Sequence, residues 1–595
     1  METEKEFDFE NLYSSQYCVR NNCLYRKKYV KNKKEPELCL LCNFAPFIVK
    51  QIVLEDGERA VIRLKIAAVA ESGRRLQEVE LSVDELTNPN WAAKIWGSEC
   101  SVEVGSAVKE YIRHAVQSTA KHAENVIVYS ITGWKEINGE YYFLMPGDDE
   151  KTVTLPNKMS GYKMQREYTE ADIAQAFSFL ENTVAPKEIM YPLLAITFTS
   201  SINCFLREAG CEPKMVMLLI GKTGSKKSTL AALMLSFFGT FTASTLPLSF
   251  KDTPNSIMHH AYSLKDTLTC IDDFHPSGKV DENNMTNTMQ MILRSYGDRV
   301  GRGRLSSSSE AMETRYPQGN AIITAEYAPD IGESGTSRYI AIEMSPDSLN
   351  NTFLTLYQEE AAKGRLNACM FAFTEWLRQS ILNKRELKEK FIDRLRKEYV
   401  RTRDAVTKRL SENKVTFHPR IPEDVAVLRL GFEMFLQFIR FKELIDEEAV
   451  ERYLSDYDEV MYSVAVSQSR SVEQDRPVYK FLRKLCSLLD SGRYYLVPKA
   501  NGKVEKDNRC LGYEDDDNYY LFNTQTHQAV RKLCDEQGES FTITDTALAK
   551  ALKAENLVIP GDKQITRPVR INDSTLLRLL VIPKAKVKEI VERFS

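Results

Sequence analysis

The sequence has little that suits a membrane-spanning or secreted protein. One uncharged stretch, Met190 to Leu206, contains proline, asparagine, serine and threonine, so we interpret it as a buried helix and expect no membrane span. The first ten residues are acidic and lack the apolar core of a signal peptide. The 12 cysteines are spread thinly along 595 residues, and we therefore expect a cytoplasmic protein with reduced thiols.

Histidine is scarce, and the overall charge is nearly balanced. The 7 histidines show no spacing typical of metal ligands, and we find no nucleophile and base arranged for acyl transfer. The formal net charge is −3. Any contact with nucleic acid must therefore come from local basic patches and not from a basic chain as a whole.

Four cysteines near the N-terminus raise the question of a zinc site. They follow a C-x4-C and then a C-x2-C spacing, which resembles a zinc ribbon: Cys18, Cys23, Cys39 and Cys42. The second pair lies in "CLLCNFAPFIV", which also has the composition of a strand in which cysteine serves as a small hydrophobic residue. We prefer the strand and expect no zinc.

Changes of composition along the chain predict four parts. Residues 1–165 combine β-branched and aromatic residues with glycine turns, which indicates a β-rich α+β domain. Residues 166–350 alternate short apolar runs with helical sequence, as in an α/β parallel sheet. Residues 351–472 are charged with apolar residues at helical spacing. Residues 473–595 end in helix, turn, strand and strand, which suits a winged helix and equally another small α+β domain.

A phosphate-binding loop is indicated by "MVMLLIGKTGSKKSTLAALML", although Lys226 stands where G-x-x-x-x-G-K-[ST] requires glycine. The pattern alone is weak, but an apolar strand precedes it and apolar residues at helical spacing follow it. We therefore expect Lys227 to reach the β and γ phosphates of ATP and Ser228 to bind Mg²⁺. The predicted nucleotide-binding residues are Gly221, Lys222, Thr223, Gly224, Ser225, Lys226, Lys227, Ser228 and Thr229.

Two further apolar runs end in polar residues that suit ATP hydrolysis. In "TLTCIDDF", Asp272 would hold magnesium through water, and Asp273 would be the base or the carboxylate that positions the attacking water. In "NAIITAE", Thr324 and Glu326 could sense the γ-phosphate. Farther along, Arg338 precedes another apolar strand, with glycine and serine around it.

Taken in order, "GKTGSKKST", "CIDDF", "IITAE" and "SRYIAIE" resemble the core of AAA+ ATPases, and within them the minichromosome-maintenance-type clade. The resemblance implies an α/β P-loop core with a helical lid, using ATP and Mg²⁺. It also implies that Arg338 is an arginine finger acting on the neighbouring subunit's nucleotide and that Arg420 is the sensor 2 arginine. Glu326 departs from this clade, which usually has asparagine there, so its role is open.

The N-terminal segments "YCVRNNCLYR", "LCNFAPFIV" and "ITGW" ahead of such an ATPase resemble a family of replication-initiator helicases carried on bacterial mobile elements. The resemblance implies a homo-oligomeric ring, a hexamer, that translocates on single-stranded DNA and loads itself at an origin. A single-stranded-DNA-binding protein and a polymerase are then expected partners. Two alternatives stay open: an AAA+ switch that regulates an origin without unwinding it, and a monomeric small-molecule phosphotransferase.

Cations that could track DNA lie in "RSYGDRVGRGRLSSSSEAMETRYPQGN", between the second and third strands of the predicted core. In the resembled helicases a hairpin at this point enters the ring's channel, and such a role needs cations on a flexible tip. We therefore predict DNA contacts from Arg299, Arg302 and Arg304, with an ordinary solvated loop as the alternative.

Overall fold

The computed structural model describes residues 9, 11–31, 33–57, 59–88, 90–148, 150–181, 184–299, 304–305, 311–312, 315–501, 503, 507–537, 539, 541–573 and 575–594. They divide into two compact units, the first being Met1–Thr132 with Leu144–Pro156 and the second Gly133–Phe143 with Asn157–Ser595. Within these ranges, every helix is too short or too polar to cross a lipid bilayer.

The described residues of the first unit form two sheets, two α-helices and two short 3-10 helices. The bounds of the strands and α-helices are β1 Tyr17–Arg20, β2 Cys23–Lys28, β3 Glu37–Cys42, β4 Phe44–Glu55, β5 Ala60–Ala70, β6 Arg75–Ser82, α1 Asn90–Trp96, α2 Val108–Ser118 and β7 Glu124–Tyr129. Strands β1 to β3 form one antiparallel sheet, and the other has the order β6-β5-β4-β7 with β4 and β7 parallel. Alternate residues of β5, Leu64, Ile66 and Ala68, enter a core shared with Trp91 and Trp96.

The four N-terminal cysteines lie on the three-stranded sheet. Cys42 is buried, and its thiol donates a 3.2 Å hydrogen bond to the carbonyl of Phe44. Burial raises the pKa of the Cys42 thiol, which disfavours the thiolate form that binds metal. Across the described residues, the side chains of histidine, cysteine, aspartate and glutamate form no group of three or more that could hold a metal ion.

The second unit is centred on a five-stranded, wholly parallel sheet. Its elements up to residue 343 are β8 Gly133–Ile137, β9 Glu140–Leu144, α3 Glu170–Phe177, α4 Lys187–Ser201, α5 Asn203–Glu208, β10 Val216–Ile220, α6 Lys227–Leu235, β11 Leu248–Ser249, α7 Pro254–Ser263, β12 Leu268–Phe274, α8 Lys279–Gly297, β13 Arg304–Leu305, β14 Ala311–Met312, β15 Asn320–Ala325, α9 Gly332–Thr336 and β16 Tyr339–Glu343. The strand order is β11-β12-β15-β10-β16. Parallel strands end at one edge of a sheet, so the ends of β10, β15 and β12 lie side by side.

Residues 351–474, all of which the structure describes, are helical with a short π-helical turn at 378–382 and contain no strand. The helices are α10 Asn351–Ala362, α11 Arg365–Leu377, α12 Arg385–Glu412, α13 Arg420–Phe441 and α14 Glu447–Gln474. Helix α13 is buried along most of its length and packs against α4 and α12. The helical spacing of apolar residues therefore predicted this region correctly.

The last part of the chain is a mixed helical and sheet region. Its elements are α15 Pro477–Asp490, β17 Tyr495–Pro498, β18 Cys510–Glu514, β19 Asn518–Leu521, α16 Asn523–Gln537, α17 Asp545–Ala554, β20 Arg567–Asn572, β21 Thr575–Pro583 and α18 Lys584–Phe594. The expected helix, turn, strand, strand order is present in α17, β20 and β21, but the two strands belong to a five-stranded sheet of order β17-β18-β19-β21-β20.

Candidate nucleotide site

The predicted phosphate loop joins β10 to α6, as the sequence pattern requires. The strand is buried because all five of its residues are apolar, and it ends at Ile220. Gly221 follows at a point where a Cβ atom would stand 2.3 Å from the carbonyl oxygen of Met344, so a larger residue would push the loop away from β16. Helix α6 then begins at Lys227, with its first backbone N–H groups at the loop.

Lys226, at the position where the loop pattern requires glycine, has the backbone conformation of a glycine. Its φ is 60° and its ψ is 29°, which is the left-handed conformation that glycine adopts most easily. The backbone thus takes the shape that glycine would give it. The ammonium of Lys226 donates a 2.5 Å hydrogen bond to Asn351 Oδ1, at the start of α10.

Lys227 is held across the loop by the loop's own acceptors. Its ammonium donates to the carbonyl of Gly221 at 2.5 Å, to that of Lys222 at 3.2 Å and to the hydroxyl of Ser225 at 3.3 Å. Burial lowers the pKa of Lys227, an effect opposed by the nearby carboxylates of Glu326, Asp272 and Asp273. A phosphate at this position would offer the ammonium a stronger acceptor than a carbonyl does.

Asp272 connects the loop to two neighbouring strands. Its Oδ1 accepts a 2.7 Å hydrogen bond from the hydroxyl of Ser228 and a 2.6 Å bond from that of Thr324. Ser228 lies in the first turn of α6, Asp272 lies in β12, and Thr324 lies in the neighbouring strand β15. The carboxylate therefore has a fixed orientation at the point where loop and sheet meet.

Asp273 lies where the regular pairing of β12 with β15 is interrupted, between Ile271 and Phe274. Its φ is 70°, an uncommon conformation for a residue other than glycine. Its backbone N–H donates to Thr324 Oγ1 at 2.9 Å, and its carboxylate lies 3.3 Å from the ammonium of Lys251. Such a conformation costs about 1–3 kcal/mol and is concentrated at functional sites, because the surrounding structure must hold it.

Glu326 closes the open side of the loop. Its carboxylate accepts a hydrogen bond from the hydroxyl of Thr223 and lies 2.8 Å from Nδ1 of His275. The bond from Thr223 is the main reason why the pKa of Glu326 is lowered. An acceptor at this position therefore orders the loop through Thr223, which the asparagine usual in the resembled clade could also do through its amide oxygen.

These residues surround a cavity of about 300 Å³. Its lining residues are Thr223, Gly224, Lys226, Lys227, Ser228, Thr229, Asp273, Phe274, Thr324, Ala325 and Glu326. Most of the predicted nucleotide residues are thus brought together with the predicted hydrolytic carboxylate. Among the residues that the structure describes, neither Arg338 nor Arg420 lines this cavity.

Arg338 and Arg420 instead share one hydrogen-bond partner, Asp298, elsewhere in the second unit. Arg338 precedes β16 and Arg420 begins α13, and both guanidinium groups bond to the carboxylate of Asp298 at the end of α8. The relevant distances are 3.0 Å from Arg338 Nη2 to Oδ2 and 2.7 Å from Arg420 Nη2 to Oδ1. The two arginines predicted to act on a nucleotide therefore form one cluster.

The prediction that Arg299 contacts DNA is wrong for this structure. Arg299 is only 9% exposed, and its guanidinium donates to the carbonyls of Pro213, Pro317 and Gly319 at 2.7–3.0 Å. Arg299 therefore connects the segment before β10, which contains Pro213, to the segment before β15, which contains Pro317 and Gly319. Its guanidinium is not available to a phosphate backbone. Arg302 lies outside the described residues. Arg304 begins β13, which pairs with β14, but its side chain also lies outside them.

Sequence reasoning missed four side chains that belong to these clusters: Lys251, His275, Asp298 and Asn351. His275 directly follows β12, so a search of strand ends for titratable residues could have found it. The others carry no local signal. Asn351 contacts a residue 125 positions away, and Asp298 contacts residues 40 and 122 positions away.

No protein-family model matches the chain, and no curated protein matches it significantly. A solved structure described as "SCCmec type IV Cch - active helicase" is similar with a TM-score of 0.53 and 13% identity, covering 99% of this chain and 100% of that one. Weaker matches are "The A form apo structure of NrS-1 C terminal region-CTR" (TM-score 0.26, 12% identity, 73% and 91% covered) and a ligand-bound "JCV Helicase" (0.21, 14%, 44% and 73%). The chain is an α/β protein with a parallel sheet in its second unit, and its fold is similar to that of the first of these structures.

Proposed function

We propose that this protein is an ATP-driven DNA helicase of the AAA+ class that initiates replication of a mobile genetic element. The observation that carries the proposal is the separation of two half-sites. One holds Lys227, Ser228 and Asp273 around a cavity, with Asp272 behind Ser228, and the other holds Arg338 and Arg420 outside it. A site divided in this way is completed when one subunit's arginines meet the next subunit's cavity.

The loop half-site accounts for nucleotide binding. The backbone N–H groups at the start of α6 and the ammonium of Lys227 would bind the phosphates, because both present positive charge to the same cavity. Thr223 and Glu326 would keep the loop closed over them through their mutual hydrogen bond. Lys227 would exchange the carbonyls of Gly221 and Lys222 for phosphate oxygens.

The same half-site has donors that fit Mg²⁺. The Ser228 hydroxyl and an Asp272 carboxylate oxygen lie 2.7 Å apart, and hard oxygen donors of this kind are what Mg²⁺ prefers together with water and phosphate. Once bound, the ion would neutralise charge that develops on the β and γ phosphate oxygens. Thr324 keeps Asp272 oriented for this role through its own 2.6 Å bond.

Hydrolysis would depend on Asp273 and on the arginines of a neighbour. Asp273 lines the cavity at a break in the pairing of β12 with β15, and its carboxylate would orient the attacking water there. Arg338 of the adjacent subunit would stabilise the charge of the transferring phosphoryl group, and Arg420 would assist it. We infer a ring of identical subunits, a hexamer by family resemblance.

The domains, the path of the DNA and the partner proteins are proposed from the same family resemblance. Residues 1–165 would form an N-terminal domain, 166–350 the ATPase core, 351–472 the lid and 473–595 a winged-helix domain that helps to load the ring at duplex DNA in the cytoplasm. Single-stranded DNA would pass along the hairpin β13–β14 in the channel. A single-stranded-DNA-binding protein and a polymerase would act with it during replication.

Strand displacement is the deciding experiment. Purified protein is given ATP and Mg²⁺ with a duplex that carries a single-stranded tail, on the 3′ end in one set and on the 5′ end in another. Displacement from one tail polarity only, lost in Lys227→Ala and in Asp273→Asn, is the expected result. ATP hydrolysis without displacement from either substrate would overturn the motor and favour an ATP switch at an origin.

Dilution provides the second measurement. Specific ATPase activity should fall as the protein is diluted and the oligomer dissociates, because each site needs two subunits. An activity per subunit that stays constant in the monomer would contradict the shared site and favour a self-contained phosphotransferase.

A further inference from the structure

Asp298 is the residue on which the two candidate trans-acting arginines converge. Arg338 approaches its carboxylate with Nε at 3.2 Å and Nη2 at 3.0 and 3.1 Å, and Arg420 adds Nη2 at 2.7 Å. The three residues come from the end of α8, the start of β16 and the start of α13. One anion thus fixes two cations that belong to separate elements.

The backbone beside Asp298 is shaped for the same cluster. A Cβ atom on Gly297 would stand 2.8 Å from Cδ and 2.9 Å from Cγ of Arg338, so only glycine leaves room for that arginine's stem. The carbonyl of Gly297 also accepts a 3.1 Å bond from Nη1 of Arg420. Gly297 therefore leaves room for the stem of Arg338 and accepts a bond from Arg420, while Asp298 binds both guanidinium groups.

The electrostatics keep this carboxylate ionised. Burial acts to raise the pKa of Asp298, but hydrogen bonds and charge from Arg338 and Arg420 outweigh it and hold that pKa below its usual value. Two cations share one anion, so these three side chains together carry a net positive charge. A phosphate brought to this surface would find that charge in a fixed position.

The bonds of Arg338 also divide into an inner and an outer set. Nε and Nη2 bond to Asp298 on the partly buried side, whereas Nη1 bonds to the carbonyl and the hydroxyl of Ser334 on the exposed side. Nη1 can therefore exchange Ser334 for a phosphate oxygen while Asp298 still holds the rest of the guanidinium.

We propose that Asp298 is a positioning residue for the shared ATP site, which holds Arg338 and Arg420 together at the subunit edge and orients them towards the neighbouring subunit's phosphates. This rests on the proposed function. Among the described residues that line the loop cavity Asp298 does not appear, so it would act through the two arginines. Without it, two like charges would lie close together without their common partner, and both side chains would reorient.

The test uses the full-length chain carrying Asp298→Ala or Asp298→Asn, with Asp404→Ala as the matched control. Asp404 also pairs with an arginine, Arg403, on an exposed face of α12. We expect kcat for ATP hydrolysis to fall about 10- to 100-fold in the Asp298 variants, as for other residues that orient a functional group. Affinity for a fluorescent ATP analogue should stay within about threefold of wild type, since the variant's own loop is intact. The Asp404 variant should match wild type in both.

Subunit mixing distinguishes positioning from a general structural role. Asp298→Ala mixed with Asp273→Asn should regain activity, because an intact loop then meets intact arginines. The same variant mixed with Arg338→Ala should not, because every site would still have damaged arginines. Wild-type kcat in Asp298→Ala, or rescue by Arg338→Ala and not by Asp273→Asn, would overturn the inference.

Failure of the proposed function would look different. If Arg338→Ala itself keeps wild-type ATPase, the shared site is wrong whatever Asp298 does. If Arg338→Ala loses activity and Asp298→Ala does not, only the role of Asp298 is wrong. Gly297→Ala provides an independent variant that leaves every charge in place, and it should lower kcat and show the same mixing pattern, since its Cβ displaces the stem of Arg338; wild-type kcat in Gly297→Ala would count against the cluster's role.

Discussion

The ammonium of Lys226 lies 2.5 Å from Asn351 Oδ1 and so connects the predicted phosphate loop to the first residue of α10. The residue that breaks the loop's sequence pattern has thus kept the backbone shape of glycine, at φ 60°, and directed its side chain to α10. Both residues are exposed, so the bond contributes about 0.5–1.5 kcal/mol at most.

Lys226→Gly should leave ATP affinity within about threefold of wild type, because glycine relieves about 1 kcal/mol of left-handed strain while one exposed hydrogen bond is lost. Isothermal titration with a non-hydrolysable ATP analogue measures this. Asn351→Ala removes the same bond without changing the loop and should also have a small effect. A tenfold loss of affinity in Lys226→Gly alone would show that the ammonium binds phosphate and not Asn351.

Substitutions of the two adjacent carboxylates of β12, Asp272 and Asp273, should impair different steps. Asp273→Asn should keep ATP affinity and lower kcat by about 100-fold or more, because a positioned base or water acceptor contributes about 10²–10⁴ in rate. Asp272→Asn should instead raise the Mg²⁺ concentration needed for half-maximal nucleotide binding, since Asp272 is the acceptor for Ser228 and Thr324. Titrations of Mg²⁺ and single-turnover hydrolysis provide the two readouts.

Asp281→Asn is the matched control for both changes, because this carboxylate lies in the first turn of α8 and accepts bonds from Ser277. It should change neither quantity. Equal loss of nucleotide binding in Asp272→Asn and Asp273→Asn at saturating Mg²⁺ would contradict separate roles.

Arg299→Ala should destabilise the protein and not merely weaken DNA binding. The guanidinium is the donor for the carbonyls of Pro213, Pro317 and Gly319, and its loss leaves buried acceptors unpaired at about 1–3 kcal/mol each. A lowered Tm in thermal unfolding checks this. Arg385→Ala, at a side chain that is 92% exposed at the start of α12, is the control and should leave Tm unchanged; an unchanged Tm in Arg299→Ala would contradict the anchor.

Arg299 also shows what a sequence cannot distinguish. The basic, glycine-rich segment after α8 has the same charge pattern whether an arginine is exposed or turned into the protein, so pattern alone suggested a DNA contact. The bonds that bury Arg299 reach residues up to 86 positions away. Such partners depend on the way in which the sheet brings distant segments together, and no local period records them.

The strand, loop and helix around Gly221 were predictable because each depends on local chemistry. An apolar run forms β10, small residues form the loop, and apolar residues at helical spacing form α6. The acids of β12 could be assigned for the same reason, as strand-end residues. The cluster on Asp298 could not, because its arginines lie 40 and 122 positions away and the carboxylate itself has no distinguishing neighbour in sequence.

Asp424→Asn should stabilise the protein, increasingly so as pH rises. Asp424 is 3% exposed in α13, and burial raises the pKa of its carboxyl well above the ordinary value, with Arg420 opposing this. Between the ordinary and the raised pKa the unfolded chain binds fewer protons than the folded one, so wild-type stability falls with rising pH by up to about 1.4 kcal/mol per pH unit. Asparagine has no titrating carboxyl group, so the variant lacks this pH dependence of the free energy of unfolding.

Thermal unfolding at pH 5 and pH 8 measures the effect, and the gap in Tm between Asp424→Asn and wild type should be larger at pH 8. Asp393→Asn serves as the control, because this carboxylate is 61% exposed on α12 beside Arg396. Its gap from wild type should be small at both pH values. A lower Tm for Asp424→Asn at pH 8 would mean that the carboxylate is ionised and stabilised by Arg420 and Lys214, whose positive charges would then outweigh the cost of burying it.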